Sequence, residues 1–154
     1  MIDIEQFRTL IVRPTLIDMG LHSEAAENLL IGTAVQESTL TYLKQIGGGP
    51  ALGVYQMEPA THDDIWANYL AYRDDLADTV RELSWGEPTA ERMVWDLRYA
   101  TAMARIHYKR VPEALPPANA ISSLGAYWKD HYNTTLGAGT AQEFIENYQR
   151  HVMG

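Results

Sequence analysis

The 154 residues contain no cysteine. Disulfide staples, thiolate nucleophiles and cysteine-ligated zinc are therefore excluded, and the chain fits any redox compartment. Basic residues are also short: 12 Lys and Arg face 20 Asp and Glu, for a net charge of −8 and a pI near 5.0. A nucleic-acid binder presents a basic face, so no nucleic-acid partner is expected. An acidic chain also has no electrostatic attraction to anionic membranes or polymers. No stretch approaches the ~20 consecutive apolar residues of a membrane span, so no membrane insertion is expected. The opening run, MIDIEQFRTLIVRP, has acids where an export signal needs a basic region and an apolar core, so no signal peptide is expected.

The composition is that of an ordinary globular chain, 46% hydrophobic and 21% charged, at a length that suits one domain with a real core. Repeats, low-complexity tracts and linkers are missing, so the expectation is a single domain over residues 1–154. β-Branched alternation is rare and helical spacing is common, which predicts an all-α fold with at most an α+β element. An entry helix is expected from Ile4, disturbed at Pro14 and ended at Gly20. Ser23 is expected to cap a second helix, with Glu24 and Glu27 in its first turn, running to 42–44. A loop comes next, through GGGPALG. Pro59 starts the next helix, LADTVRELS forms a shorter one, and Pro88 opens a long one through RMVWDLRYATAMARIHY, read as the central core helix. The pair Pro116 and Pro117 precedes another helix, NTTLGAGT is read as a loop, and AQEFIENYQRHV closes the chain.

Chemistry concentrates in TAVQESTLTYLKQIGGGPALGVYQMEP, residues 33–59. Glu37 shares a helical face with Leu30, Ala34 and Leu40. A carboxyl held against apolar surface has its charged form disfavoured, so its pKa rises and it can serve as a general acid. Most glutamates at a helix end are simply solvated; this one differs in the loop behind it. Four glycines and a proline within seven residues allow positive φ or close approach of the backbone to a ligand, although a flexible turn explains them equally well. The Gly-Lys-Ser/Thr ending of a phosphate loop is absent. The five histidines show no ligand spacing such as H-E-x-x-H, so no metal and no cofactor is predicted.

Glu37 and Ser38, followed by Gly53, Val54, Tyr55, Gln56, Met57, Glu58, Pro59, Ala60 and Thr61, resemble the paired blocks of the lytic transglycosylase and goose-type lysozyme superfamily: Glu-Ser at a helix end, then Gly-Leu-Met-Gln-hydrophobic-x-Pro-x-Thr. DLRYATAMARIHY resembles the helix that usually follows. LGAYWKDHYNTTLGAGT resembles the Ala-Tyr-Asn-Ala-Gly block imperfectly: Ala126 and Tyr127 are followed by Trp128 where Asn is expected, and Tyr132 and Asn133 lack the preceding Ala. This longer form resembles small phage-encoded members.

The resemblance implies a lysozyme-like domain that cleaves the β-1,4 bond between N-acetylmuramic acid and N-acetylglucosamine in peptidoglycan. Glu37 would act first as acid and then as base, and the substrate's own C6 hydroxyl would be the nucleophile. The product would be a 1,6-anhydro sugar. Two-carboxylate glycosidases hold their acids roughly 5 to 9.5 Å apart, whereas the segment after Glu37 offers no second acid before Glu58. A goose-type hydrolase would recruit such an acid (Glu58, Asp63, Asp64, Asp96 or Asp130), and a non-catalytic binding or structural module of the same fold is the third reading. The family match implies substrate contacts from Ser38, Gly53, Tyr55, Gln56, Met57, Tyr127, Trp128, Tyr132 and Asn133, with Tyr127 supplying a hydroxyl near Glu37 and Tyr132 and Asn133 closing a loop or outer cleft. Each has an alternative: Ser38 and Gln56 can instead satisfy backbone, a reading that weighs more for Ser38 than for Gln56, and any one aromatic is more often core. The implied partner is the peptidoglycan strand. The implied setting is host cytoplasm followed by periplasm or wall on release, or a phage particle, with the protein acting as a monomer or as part of that particle.

Overall fold

The computed structural model describes residues 1–133 and 137–154. The chain is 62% helical, with no sheet or barrel among the described residues, an all-α fold built on one hydrophobic core. The loop expected at NTTLGAGT lies partly outside the described residues, at 134–136.

The entry segment is α1 (Ile4–Gln6), a π-helical run Phe7–Val12 and α2 (Arg13–Asp18). Pro14 is the second residue of α2, directly after the π-helical run, so the helical segment carries its irregularity just ahead of the proline. Gly20 ends the segment at φ +69°.

Helix α3 (Glu24–Ser38) starts where expected: the Ser23 hydroxyl accepts from the Ala26 amide at 3.0 Å. Nearly every residue from Ala26 to Val35 is buried, so α3 is the central helix and has no polar face to solvent. Leu29, Leu30, Ile31 and Val35 are fully enclosed, each side chain worth about 1.5–3 kcal/mol against exposure. Gly32 lets α9 (Ala141–His151) lie directly against it, because an added Cβ would stand 2.4 Å from the Phe144 ring. The one charge on this buried stretch, Glu27, is held by Arg8 at 3.0 Å and Arg13 at 2.8 Å, with His22 also bonded. Burial opposes ionisation there, but the hydrogen bonds from Arg13, His22 and Arg8 prevail and lower its pKa to about 2.

The expected run of α3 to 42–44 is corrected: it stops at Ser38. Thr39 and Leu40 both adopt left-handed backbone, φ 51° and 50°, without being glycine. The Leu40 side chain is buried and its carbonyl accepts from the Ile2 amide at 3.0 Å, which holds the turn in place. The loop beyond is tied by isolated antiparallel bridges, Lys44 to Leu52 and Leu52 to Met57.

Next along the chain are helix α4 (Pro59–Asn68), a 3₁₀ turn Leu70–Tyr72 and α5 (Asp74–Leu83). The single helix expected from Pro88 is two: α6 (Arg92–Trp95) and α7 (Leu97–Lys109). Asp96 breaks them because it is extended and its carboxylate caps α7, accepting from Tyr99 N at 2.9 Å. Buried along most of its length, α7 packs against α3. Helix α8 (Ile121–Trp128) continues into a second π-helical run, Lys129–Asn133.

Candidate active site

Glu37 is the penultimate residue of α3 and opens into a cleft of about 490 Å³. Three segments supply the walls. The turn after α3 and its loop give Tyr42, Lys44, Gln45, Ile46 and Ala51; the second sequence block gives Gln56 and Glu58; the second π run and its C-terminal flank give Tyr132, Asn133 and Gly137.

The Glu37 carboxyl has one direct protein donor among the described residues, the Trp128 indole, whose Nε1–H donates to Oε2 at 3.0 Å. Burial raises the Glu37 pKa to about 7, and this single hydrogen bond pulls weakly the other way. Near neutral pH the carboxyl is therefore substantially protonated. With Oε2 accepting from the indole, the acidic proton is directed to Oε1. Trp128 is itself immobilised, buried and stacked on Phe144 at 5.7 Å.

Ser38 does not bond to Glu37. Its hydroxyl, 2.7 Å from Val54 O and 3.1 Å from Ala34 O, pins the end of α3 to the second block. Gly53 turns that block at φ +76°, with its Cα pressed to Met93 O, so its lack of a side chain serves packing against α6 and not approach to the cleft. Tyr55 and Met57 are core residues, and the Tyr55 hydroxyl bonds Thr101 Oγ1 at 2.9 Å. Neither lines the cleft, so the contacts expected of these two side chains are not formed by this geometry.

Gln56 does face the cleft, in left-handed backbone at φ 50°. Its Nε2 donates to Gly53 O at 2.9 Å, which closes the turn and leaves Oε1 without a protein donor among the described residues. The bland and the functional expectations thus both apply to one amide, one end each.

The tyrosine near Glu37 is Tyr132, not Tyr127. The Tyr127 hydroxyl donates to Glu113 O at 2.9 Å, away from the cleft. Tyr132 lines it. Burial raises the Tyr132 pKa well above the ordinary phenol range, and the Glu37 charge adds to the rise. Its hydroxyl donates to Tyr55 O at 2.6 Å, so its lone pairs remain to accept. His107 packs edge-on against the Tyr132 ring at 5.0 Å. Arg110 donates to His107 Nδ1 at 3.0 Å and is itself paired with Asp64 at 2.7 Å. Burial, then the Arg110 charge, lowers the His107 pKa to about 4, so the ring is neutral with its proton on Nε2. The Asn133 carbonyl oxygen accepts from Lys129 at 2.8 Å, and its amide N–H groups have no acceptor among the described residues.

Sequence reasoning missed the wall from 42 to 46 and the indole bond to Glu37. The wall was foreseeable, since residues flanking a glycine-rich loop beside an acid are natural cleft formers. The indole was not, because it stands where the block that this stretch resembles has Asn. Among the described residues no group of three or more His, Asp or Glu forms a metal cluster, and no helix is long and apolar enough to cross a membrane. No family model, curated protein or solved structure matches the chain.

Proposed function

We propose that the protein is a lytic transglycosylase acting on peptidoglycan, with Glu37 as its one catalytic carboxyl. The supporting observation is the carboxyl itself: half-buried, raised to about 7, bonded to one indole and open to a cleft. A general acid is most effective with a pKa near the operating pH. The protonated Oε1 gives its proton to the glycosidic oxygen as the C1–O4 bond breaks. The resulting carboxylate takes the proton from the C6 hydroxyl, whose oxygen bonds to C1. No water is consumed, and Glu37 returns to its starting state. Gln56 Oε1, the Tyr132 lone pairs and the Asn133 amide offer hydrogen bonds to the sugar's acetamido group and hydroxyls. A phage lysin or a wall-degrading component of a phage particle is the setting that the sequence resemblance favours.

A second reading has one observation of its own. Glu58, exposed, lines the same cleft and would act as the base for water in a hydrolase. Mass spectrometry of muropeptides after digestion separates the readings: anhydro ends carry one water fewer than hydrolysed ends. Glu37→Gln should silence either enzyme, a loss of at least ~10²-fold. Near wild-type cleavage by a folded Glu37→Gln protein would end the assignment, and binding without any cleavage by the wild type would leave a non-catalytic module.

A further inference from the structure

Lys44 is the one cation lining the cleft among the described residues. Its position is fixed by the backbone: residue 44 bridges to Leu52, Leu52 bridges to Met57, and Gln45 N donates to Ala51 O at 3.0 Å. The side chain is exposed, and no carboxylate lies within ion-pair distance among the described residues. The contrast with the other cations near the site is informative. Lys129 is spent on Asn133 and Gly137 O, and Arg110 on Asp64 and His107. In a chain of net charge −8, with Glu58 contributing to the same cleft, an ammonium left without an acidic partner there is set for a charge the protein does not supply.

We infer that Lys44 determines specificity by pairing with a carboxylate carried on the muramyl sugar, so that the cleft prefers acid-bearing glycan strands over neutral β-1,4 N-acetylglucosamine polymers. This rests on the glycan-binding reading of the cleft and extends it to the substrate's charge. In that reading Glu37 stands at the oxygen on C1 of the muramyl unit. The acidic substituent is carried on the oxygen at C3 of the same ring, two bonds from C1, and extends outward from it toward a wall residue on a flexible four-carbon stem. Two sources supply the carboxylate. In intact strands the lactyl group is amidated and the acids belong to the stem peptide; in amidase-stripped strands the lactyl carboxylate is free.

The test is equilibrium binding in the Glu37→Gln background, which prevents turnover, using three soluble probes: intact peptide-bearing glycan fragments, amidase-stripped fragments and neutral chito-oligosaccharide. Lys44→Met keeps the length of the stem and removes the charge. It should weaken binding of an acidic fragment about five-fold, leave chito-oligosaccharide unchanged, and lose its effect as ionic strength rises. Lys44→Arg should restore affinity. A loss confined to intact fragments identifies the stem peptide, and a loss confined to stripped fragments identifies the lactyl group. Equal affinity of Lys44→Met and its parent for both acidic probes, or an equal loss on the neutral one, overturns the inference. Cleavage by the wild type is measured separately, so a failure of the catalytic reading is seen independently of the charge preference.

Discussion

Two half-buried groups titrate in opposite senses over nearly the same pH range, and one substitution separates them. Burial raises Glu37 from 4.5 to about 7 in the folded chain. The folded state therefore holds a proton that the unfolded state has released, and stability falls as pH rises from about 4.5 to 7. Burial lowers His107 from 6.5 to about 4. Here the unfolded state binds the extra proton, and stability rises as pH climbs from about 4 to 6.5. At about 1.36 kcal/mol per pH unit each effect reaches roughly 3 kcal/mol; solvent in the cleft reduces the Glu37 share to about 2 kcal/mol. In the wild type the two slopes oppose, so its melting temperature should vary little between pH 4.5 and 6.5. Glu37→Gln removes one slope and preserves size and an acceptor for the Trp128 indole. Its stability should match wild type at pH 4.5, rise with pH to 6.5, and exceed wild type by about 2 kcal/mol at pH 8, or about 4–8 °C in melting temperature. Glu27, at about 2, contributes stability that is present above 4.5 and lost as pH falls toward 2, below the range concerned. The assay is calorimetry of both proteins at half-unit pH steps. Parallel melting curves from pH 4.5 to 8 would refute the reasoning, because Glu37 would then not be a carboxyl with a raised pKa.

Tyr132→Phe should lower muropeptide release per folded molecule about five-fold or more, by removing an acceptor in the cleft and leaving Tyr55 O without its donor, whereas Tyr127→Phe should change release less than two-fold; a larger effect at Tyr127 would return the role to that residue. Gly53→Ala should cost about 2 kcal/mol or more in denaturant unfolding, since it meets both a φ of +76° and the Met93 carbonyl at 2.2 Å, and a neutral result would mean that the second block shifts freely against α6.

The helical architecture was legible because α5 and α9 bury one face at a 3.6-residue period, because β-branched alternation is rare, and because the stops are marked by proline, glycine and capping side chains; α3, buried all round, shows no such period. Ser23, Gly20, Pro14 and Pro59 act where their chemistry says they should. The failures have local causes. Thr39 and Leu40 end α3 in left-handed backbone that nothing in their side chains announces; it is held by burial of Leu40 and by its carbonyl's bond to Ile2. Asp96 breaks a continuous apolar pattern because a cap competes with helix continuation, a contest that periodicity does not display. In the candidate site, Glu37 stood out because an acid on an apolar helix face is rare. Its surroundings were harder to foresee. A Tyr-rich stretch gives equivalent letters at 127 and 132, and only the π run decides which hydroxyl faces the acid. Tyr55 and Met57 looked like cleft residues by their place in a motif, yet alternate residues of a tight turn point into the core.

The π run Lys129–Asn133 closes hydrogen-bonded rings one residue larger than those of an α-helix. Such a run stores a spare residue. The packing that anchors α8, chiefly Leu124 and Trp128, lies before it, while Tyr132 within the run packs against the core beside Tyr108 and His107 and takes its register from Tyr55 O. Chain length here sets the cleft wall and the packing of Tyr132 together. A single insertion or deletion in this segment therefore reshapes the cleft wall and repacks Tyr132 in one step, so the two cannot vary independently.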